Sequence, residues 1–233
     1  MEKRGFLYRK RIRVFSEEVT VYPVSCERLA KGRSDAQWLD EVLYGGARIV
    51  QLRDKVSSDS ELLEKARMFR RKTSDAGALF IVNDRLDIAL LSDADGIHVG
   101  QNDLPPHEIL KLAPEMIIGI SCNNEAQAKQ LGKMEQDDVM PVSYYNIGPV
   151  YPTKTKEGLA AFIGPGAITQ LSSHVSLPFT VMGGIKLKHV SELVSQGIRR
   201  IAVVTALTQA SDIAGETRRW IQEIKFAAGE MNE

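Results

Sequence analysis

The stretch RIVQLRDKVSSDSELLEKARMFRRKTSDAGALFIVN, residues 48–83, decides the fold. It opens on a short apolar run, RIVQLR (48–53), and closes on another, ALFIVN (78–83). Between them a segment around 59–76 brings Leu62, Leu63, Ala66 and Phe69 onto one helical face. Both flanking runs are apolar through their length, as in strands covered on both faces, and a helix-length crossover joins parallel neighbours.

Working outward, the same unit recurs. VTVYPVS (19–25) precedes a helix around 34–45, with Trp38, Leu39, Val42 and Leu43 on its apolar face. GIHVG (96–100) precedes a helix near 105–113, MIIGIS (116–121) one at 123–133, and SYYNIGP (143–149) one near 164–173. FTVMGG (179–184) precedes 187–196, RIAVVT (200–205) precedes 211–228, and a short helix is expected at 85–92. Eight strand-then-helix units in 233 residues predict a single-domain (β/α)8 barrel, the TIM-barrel architecture, over residues 19–233. An open doubly wound sheet is the alternative, because periodicity alone does not show closure.

Composition narrows the function classes. Lys plus Arg number 30 and Asp plus Glu number 30, so net charge gives no reason to expect a nucleic-acid or membrane partner. No apolar run approaches the length that spans a bilayer. Cys26 and Cys122 form no metal or redox spacing and read as free thiols of a cytoplasmic protein. Residues 1–18 are a basic leader containing Lys3, Arg4, Arg9, Lys10, Arg11 and Arg13. Without a signal-peptide core, it reads as a solvated segment or an extra element packed on the barrel. The sequence is silent on oligomeric state and compatible with a homo-oligomer.

In such a barrel chemistry sits on the loops after the strand C-termini, and polar residues cluster there. In QLRDK (51–55), strand period puts Gln51, Arg53 and Lys55 on one face and Leu52 and Asp54 on the other. An amide, a guanidinium and an ammonium aimed at one point suit a polyanion; an ion-pair belt using Asp54 is the structural alternative. Asn83 and Asp84 end the third strand, and Gln101 and Asp103 follow the fourth. Carboxylates on neighbouring loops can share one ion, and this donor set suits Mg2+ better than zinc. Each aspartate could equally cap the helix that follows it. Ser121 closes strand five, Thr153, Thr155 and Lys156 lie in the loop after strand six, and Thr205 closes strand eight. Gly183 and Gly184 offer close backbone approach to a phosphate, or simply a tight turn. His98 reads as a hydrogen-bonded core residue; His107, His174 and His189 receive no role. With no nucleophile beside a base, acyl chemistry is not expected. The residues describe a mouth for a Mg2+-complexed polyphosphate plus a second phosphorylated group, with charge neutralisation driving loss of pyrophosphate.

The motifs QLRDK (51–55), VNDRLDIAL (82–90), ADGIHVGQNDLP (94–105), IGIS (118–121), GPVYPTKTK (148–156) and GGI (183–185) stand in the order found in thiamine phosphate synthases. The chain resembles that family from about residue 19 to 226. The resemblance implies a (β/α)8 barrel that joins a hydroxymethylpyrimidine pyrophosphate to a thiazole phosphate, releasing pyrophosphate. It implies that Gln51, Arg53, Lys55, Asn83 and Lys156 hold the pyrophosphate, and that Asp84 and Asp103 bind Mg2+. Ser121 would sit beside the pyrimidine and the departing group, so that Ser121, Arg53, Lys55 and Lys156 act where charge develops. Thr153, Thr155, Gly184, Val204 and Thr205 would line the thiazole phosphate site. The implied mechanism is dissociative, the thiazole nitrogen trapping a pyrimidine methyl cation.

Some positions depart from the family pattern. Thr205 stands where serine is common, Met182 where a smaller residue is usual, and MPVSYYNIGP and EGLAAFIGPG are atypical. Two alternatives share the barrel: a thiazole tautomerase-like enzyme and a non-catalytic regulatory barrel. The first usually lacks the paired aspartates and carries a histidine after strand five, where this chain has SCNNEAQ; the second would not need the metal site. A sugar-phosphate epimerase would give no reason for QLRDK.

Overall fold

A computed structural model describes residues 4–153 and 162–230. Its eight strands are β1 (Val21–Pro23), β2 (Ile49–Leu52), β3 (Leu79–Asn83), β4 (Gly96–Val99), β5 (Ile117–Cys122), β6 (Tyr144–Ile147), β7 (Phe179–Met182) and β8 (Ile201–Val203). All seven ladders are parallel and run in chain order, with β8 on β1. A parallel bridge between Val24 and Gln51 joins β1 to β2. Sequential order with no switch point, together with that bridge, makes the sheet a barrel rather than a doubly wound sheet.

The helices are α1 (Phe6–Glu17), α2 (Asp35–Tyr44), α3 (Asp59–Asp75), α4 (Leu86–Leu91), α5 (Pro106–Leu112), α6 (Glu125–Gln136), α7 (Ile168–Ser172), α8 (Val190–Ser195), α9 (Thr205–Thr208) and α10 (Ile213–Ala227). Their starts are chemically marked. Ser34 with Gln37 and Ser58 with Glu61 form capping boxes for α2 and α3, and Asn124 and Asp212 cap α6 and α10. None of the described helices is long and apolar enough to cross a membrane.

Period-two strands split the apolar residues into two cores. Outward-facing Val50, Phe80, Ile118, Tyr145 and Val181 meet Trp38, Leu39, Phe69 and Trp220 of the surrounding helices. Inward-facing Tyr22, Ile49, Ile81, Tyr144 and Ala202 fill the lumen, and Phe15 of α1 joins them from below.

Of the two readings of the basic leader, its described part, residues 4–18, follows the second: α1 packs across the N-terminal end of the barrel. Phe15 is fully buried, its ring 4.4 Å from that of Tyr144. Arg11 is also buried; its Nε donates to Asp95 Oδ1 at 3.0 Å and its Nη1 to the Glu115 carbonyl at 2.9 Å. Arg70 and the Phe80 N–H take the other Asp95 oxygen, so the carboxylate entering β4 ties α1, α3 and β3 together. Buried charge is tolerated because each is paired and hydrogen-bonded.

Candidate active site

The strand C-termini surround a cavity of about 380 Å3. Gln51, Arg53, Lys55, Asn83, Asp84, Asp103, Ser121, Thr153, Gly184, Val204 and Thr205 all line it. The other two site residues expected from sequence, Thr155 and Lys156, lie outside the described residues.

The alternation in QLRDK holds in three dimensions. Gln51 faces the lumen, and its Nε2 donates to Tyr22 Oη at 2.9 Å. Arg53 is anchored by its backbone N–H, which donates to Ser25 Oγ at 3.0 Å. Among the described residues its guanidinium has no carboxylate partner, which leaves a forked donor in the cavity. Asp54 points the other way and accepts from Lys65 Nζ at 2.6 Å and from the Val56 and Ser57 N–H groups. The ion-pair belt that Asp54 offered is thus real, but it lies behind the mouth and leaves Arg53 and Lys55 to the cavity. Lys65 also contacts Glu27 at 2.8 Å and Asp35 at 2.9 Å. That triple-carboxylate cluster could ligate a metal by spacing alone, yet the ammonium fills its centre.

The two mouth aspartates do not cap helices. The N-cap of α4 is Arg85 and that of α5 is Pro105, neither with a capping side chain. Asp84 sits in the left-handed region, φ 61°, with its N–H on the His98 carbonyl at 2.9 Å. That conformation, sparsely populated for a residue with a Cβ, turns the carboxylate into the mouth, where it pairs with Lys55. Burial raises the Asp84 carboxyl above its usual range; Lys55 opposes the shift, and the neighbouring Asp103 adds to it. Asp103 Oδ2 accepts from the Gly100 N–H at 2.7 Å. Two adjacent carboxylates, with no histidine or thiolate grouped with them as a ligand among the described residues, suit a hard divalent cation that takes its remaining oxygens from water and phosphate. On this donor chemistry the residues fit Mg2+.

On the far side, Gly183 and Gly184 have φ 105° and 64°. A Cβ on Gly184 would lie 2.5 Å from the Pro152 carbonyl oxygen, and one on Gly183 2.5 Å from Pro149 Cβ. Glycine is required because the loop after β6 lies directly on this turn, with the Tyr151 N–H bonded to the Gly183 carbonyl at 2.9 Å.

Sequence reasoning placed His98 in the core, and it is buried and hydrogen-bonded as expected, but it also faces the cavity. Its Nε2 lies 3.1 Å from Ser121 Oγ and its Nδ1 3.1 Å from Tyr144 Oη. Asn146, which has no role in the sequence reading, lines the cavity as well, and so does Met182, the residue that stands where a smaller one is usual. The missed signal is again period two: Tyr144 and Asn146 share the inward face of β6, and Gly148 follows in step just beyond its end. Asn146 lies beside Ser121 and Thr180 in register, and its Oδ1 accepts from Thr180 Oγ1 at 2.8 Å.

Fold and site together define a (β/α)8-barrel enzyme whose mouth sets cations against paired carboxylates. The family model for thiamine monophosphate synthase matches residues 21–207. The thiamine-phosphate synthase of Shouchella clausii is 36% identical over 209 residues, 89% of this chain and 97% of that protein. That of Methanospirillum hungatei is 40% identical over 201 residues, 86% and 95% of the two chains. The solved thiamine phosphate pyrophosphorylase of Pyrococcus furiosus superposes with a TM-score of 0.81 at 29% identity, covering 91% of this chain and 98% of that one. The chain belongs to the thiamine monophosphate synthase family and is a transferase of thiamine biosynthesis.

Proposed function

We propose that this mouth condenses 4-amino-2-methyl-5-hydroxymethylpyrimidine pyrophosphate with 4-methyl-5-(2-phosphoethyl)thiazole by a dissociative route. The observation that carries the reading is convergence: eleven residues from seven strand ends line one cavity, cations beside carboxylates. The C–O bond between the pyrimidine methylene and pyrophosphate breaks, and its electron pair leaves with the pyrophosphate. The thiazole nitrogen lone pair then forms the new C–N bond, giving thiamine phosphate.

Arg53 grips two pyrophosphate oxygens, Lys55 adds a point charge, and Gln51 and Asn83 orient the substrate. Lys156, from the loop after β6, meets the departing group, and Ser121 donates to it. Thr153, Thr155, Thr205, Val204 and the Gly184 backbone hold the thiazole phosphate. Asp84 and Asp103 would hold Mg2+, which when bound neutralises charge on the pyrophosphate. Preformed donors cost no reorganisation as negative charge develops on the leaving oxygen.

The test is direct. Purified protein, both precursors and Mg2+ should yield thiamine phosphate and pyrophosphate. A folded sample that makes no Mg2+-dependent product overturns the reading.

A further inference from the structure

We propose that the buried chain Gln51–Tyr22–Tyr144–His98–Ser121 is polarised toward the mouth and fixes the Ser121 hydroxyl as a donor into the cavity. Tyr22, Tyr144 and His98 are then positioning residues for the condensation. The consequence for catalysis rests on the reading above, in which Ser121 meets the departing pyrophosphate; the polarity itself does not.

The five side chains come from five strands and meet inside the lumen. Gln51 Nε2 donates to Tyr22 Oη at 2.9 Å, and Tyr22 Oη lies 3.0 Å from Tyr144 Oη. Tyr144 Oη lies 3.1 Å from His98 Nδ1, and His98 Nε2 lies 3.1 Å from Ser121 Oγ. Tyr22 is 1% exposed and Tyr144 fully buried, so each phenol proton must find its acceptor inside the protein.

Proton counting then sets the direction. The amide of Gln51 already donates to Tyr22, so the Tyr22 proton goes to Tyr144. The Tyr144 proton in turn goes to His98 Nδ1. A neutral ring that accepts at Nδ1 carries its proton on Nε2, which donates to Ser121 Oγ. The Ser121 oxygen is occupied as an acceptor, and its own proton is directed outward. In the opposite direction, Gln51 and Tyr144 would both donate to Tyr22, whose own proton would have no acceptor among the described residues. Burial holds both phenols protonated, so the chain keeps its protons.

Phe15 of α1 packs on the Tyr144 ring from below, and Gln101 Nε2 donates to the Ser121 carbonyl at 2.6 Å from above. The chain is therefore held at both ends, as a positioning device requires. A hydroxyl already aimed at the leaving oxygen helps most in the transition state and little in ground-state binding.

Two measurements test this. Nitrogen-15 NMR of histidine-labelled protein without substrates, at a pH where His98 is neutral and with His98→Gln for assignment, should show the proton on Nε2. A proton on Nδ1 overturns the polarity, whether or not the condensation is the right reaction. Tyr144→Phe should lower kcat about tenfold while KM for each substrate stays within about threefold, and its His98 signals should shift toward mixed tautomers. Tyr145→Phe is the control: Tyr145 is equally buried on the same strand but faces outward, its hydroxyl donating to the Val175 carbonyl. It should keep kcat and the His98 tautomer. Unchanged kcat in Tyr144→Phe, or an equal loss in Tyr145→Phe, overturns the positioning role. If Tyr144→Phe does not fold, the NMR result on the unmodified protein still decides the polarity.

Discussion

Lys55 and Asp84, from the ends of neighbouring strands, form an ion pair across the mouth of the barrel. The ammonium holds a carboxylate that burial and Asp103 otherwise disfavour in its charged form. The two partners should therefore fail differently when removed. Lys55→Ala should raise KM for the pyrophosphate substrate about tenfold, or roughly 1.4 kcal/mol, without raising the Mg2+ concentration needed. Asp84→Asn should raise that Mg2+ requirement instead. Steady-state kinetics with Mg2+ and substrate varied independently separate the two. Identical responses would show that the pair acts as one structural unit.

Asp103 has both a turn to hold and a charge to present. Asp103→Asn keeps a carbonyl oxygen for the Gly100 N–H but removes the charge. Turnover should fall at least tenfold, about 1.4 kcal/mol of barrier, while the melting temperature stays close to that of the parent. Asp103→Ala should lose both, with stability down by about 1 kcal/mol. Full turnover in Asp103→Asn would reduce the residue to a turn element.

The loop after β6 contains two lysines that sequence reasoning separates. Lys156 follows the second threonine of the TKTK motif and is read as meeting the leaving group; Lys154 lies between the two threonines, at a position that varies in the family the chain resembles, and is read as facing solvent. Lys156→Ala should reduce kcat at least tenfold and Lys154→Ala by less than twofold. Equal effects in a precursor assay would mean the register of the loop was misassigned.

How legible these features were depends on the range of the interactions behind them. Seven of the eight strands fall within the runs that predict them, and β5 passes the end of its run by one residue, Cys122, because a strand covered on both faces advertises itself locally as continuous apolar sequence. The rim residues were legible because β2 alternates, and alternation survives folding. The α1 plug was not, because its meaning lies in partners far along the chain: Arg11 needs Asp95, and Phe15 needs Tyr144. Six basic residues in that leader hid two buried anchors. The lumen chain was equally hidden, since which face of YYNI turns inward depends on barrel closure. Asp84 looked like a cap because caps are common for aspartate; its left-handed backbone, set by the His98 carbonyl on the next strand, gives it another direction.

Lys65 is the cation of the cluster behind the mouth, and its removal should be a stability defect. Lys65→Met would leave Glu27, Asp35 and Asp54 facing one another, with a cost of about 3 kcal/mol. Burial alone would raise Asp54, but the Lys65 ammonium and the Val56 and Ser57 donors win and hold it well below the usual carboxylate range. A depressed carboxylate stabilises the fold above its unfolded value near about 3.9 and stops doing so as pH falls through its folded value. Burial raises Asp35, so ionised Asp35 opposes folding, and acidification relieves that opposition. The gap between parent and variant should therefore be full near neutrality and narrow below about pH 4. Urea unfolding at several pH values checks both size and slope; a gap that widens on acidification would contradict the assignment.

Phe15 decides whether α1 is part of the folding unit. Its side chain is fully buried, packed at a tilt against the Tyr144 ring and covered by the Arg200 guanidinium 5.4 Å above its own ring. Arg200 Nε also donates to the Phe15 carbonyl at 2.9 Å, so the helix end is bound through backbone as well as side chain. Phe15→Ala removes a ring from the floor of a lumen whose rigid strands cannot collapse into the space. The expected cost is about 3–5 kcal/mol, which for a domain of this size lowers the melting temperature by roughly 10 °C. The cavity would open beneath Tyr144, two hydrogen bonds from Ser121, so kcat should fall with stability even though Phe15 lies at the opposite end of the barrel from the mouth. A solvated leader would behave otherwise: a surface substitution changes stability by no more than about 0.5 kcal/mol. Thermal unfolding and kcat measured on the same preparation distinguish the outcomes, and a melting temperature equal to the parent's would undock α1 from the barrel.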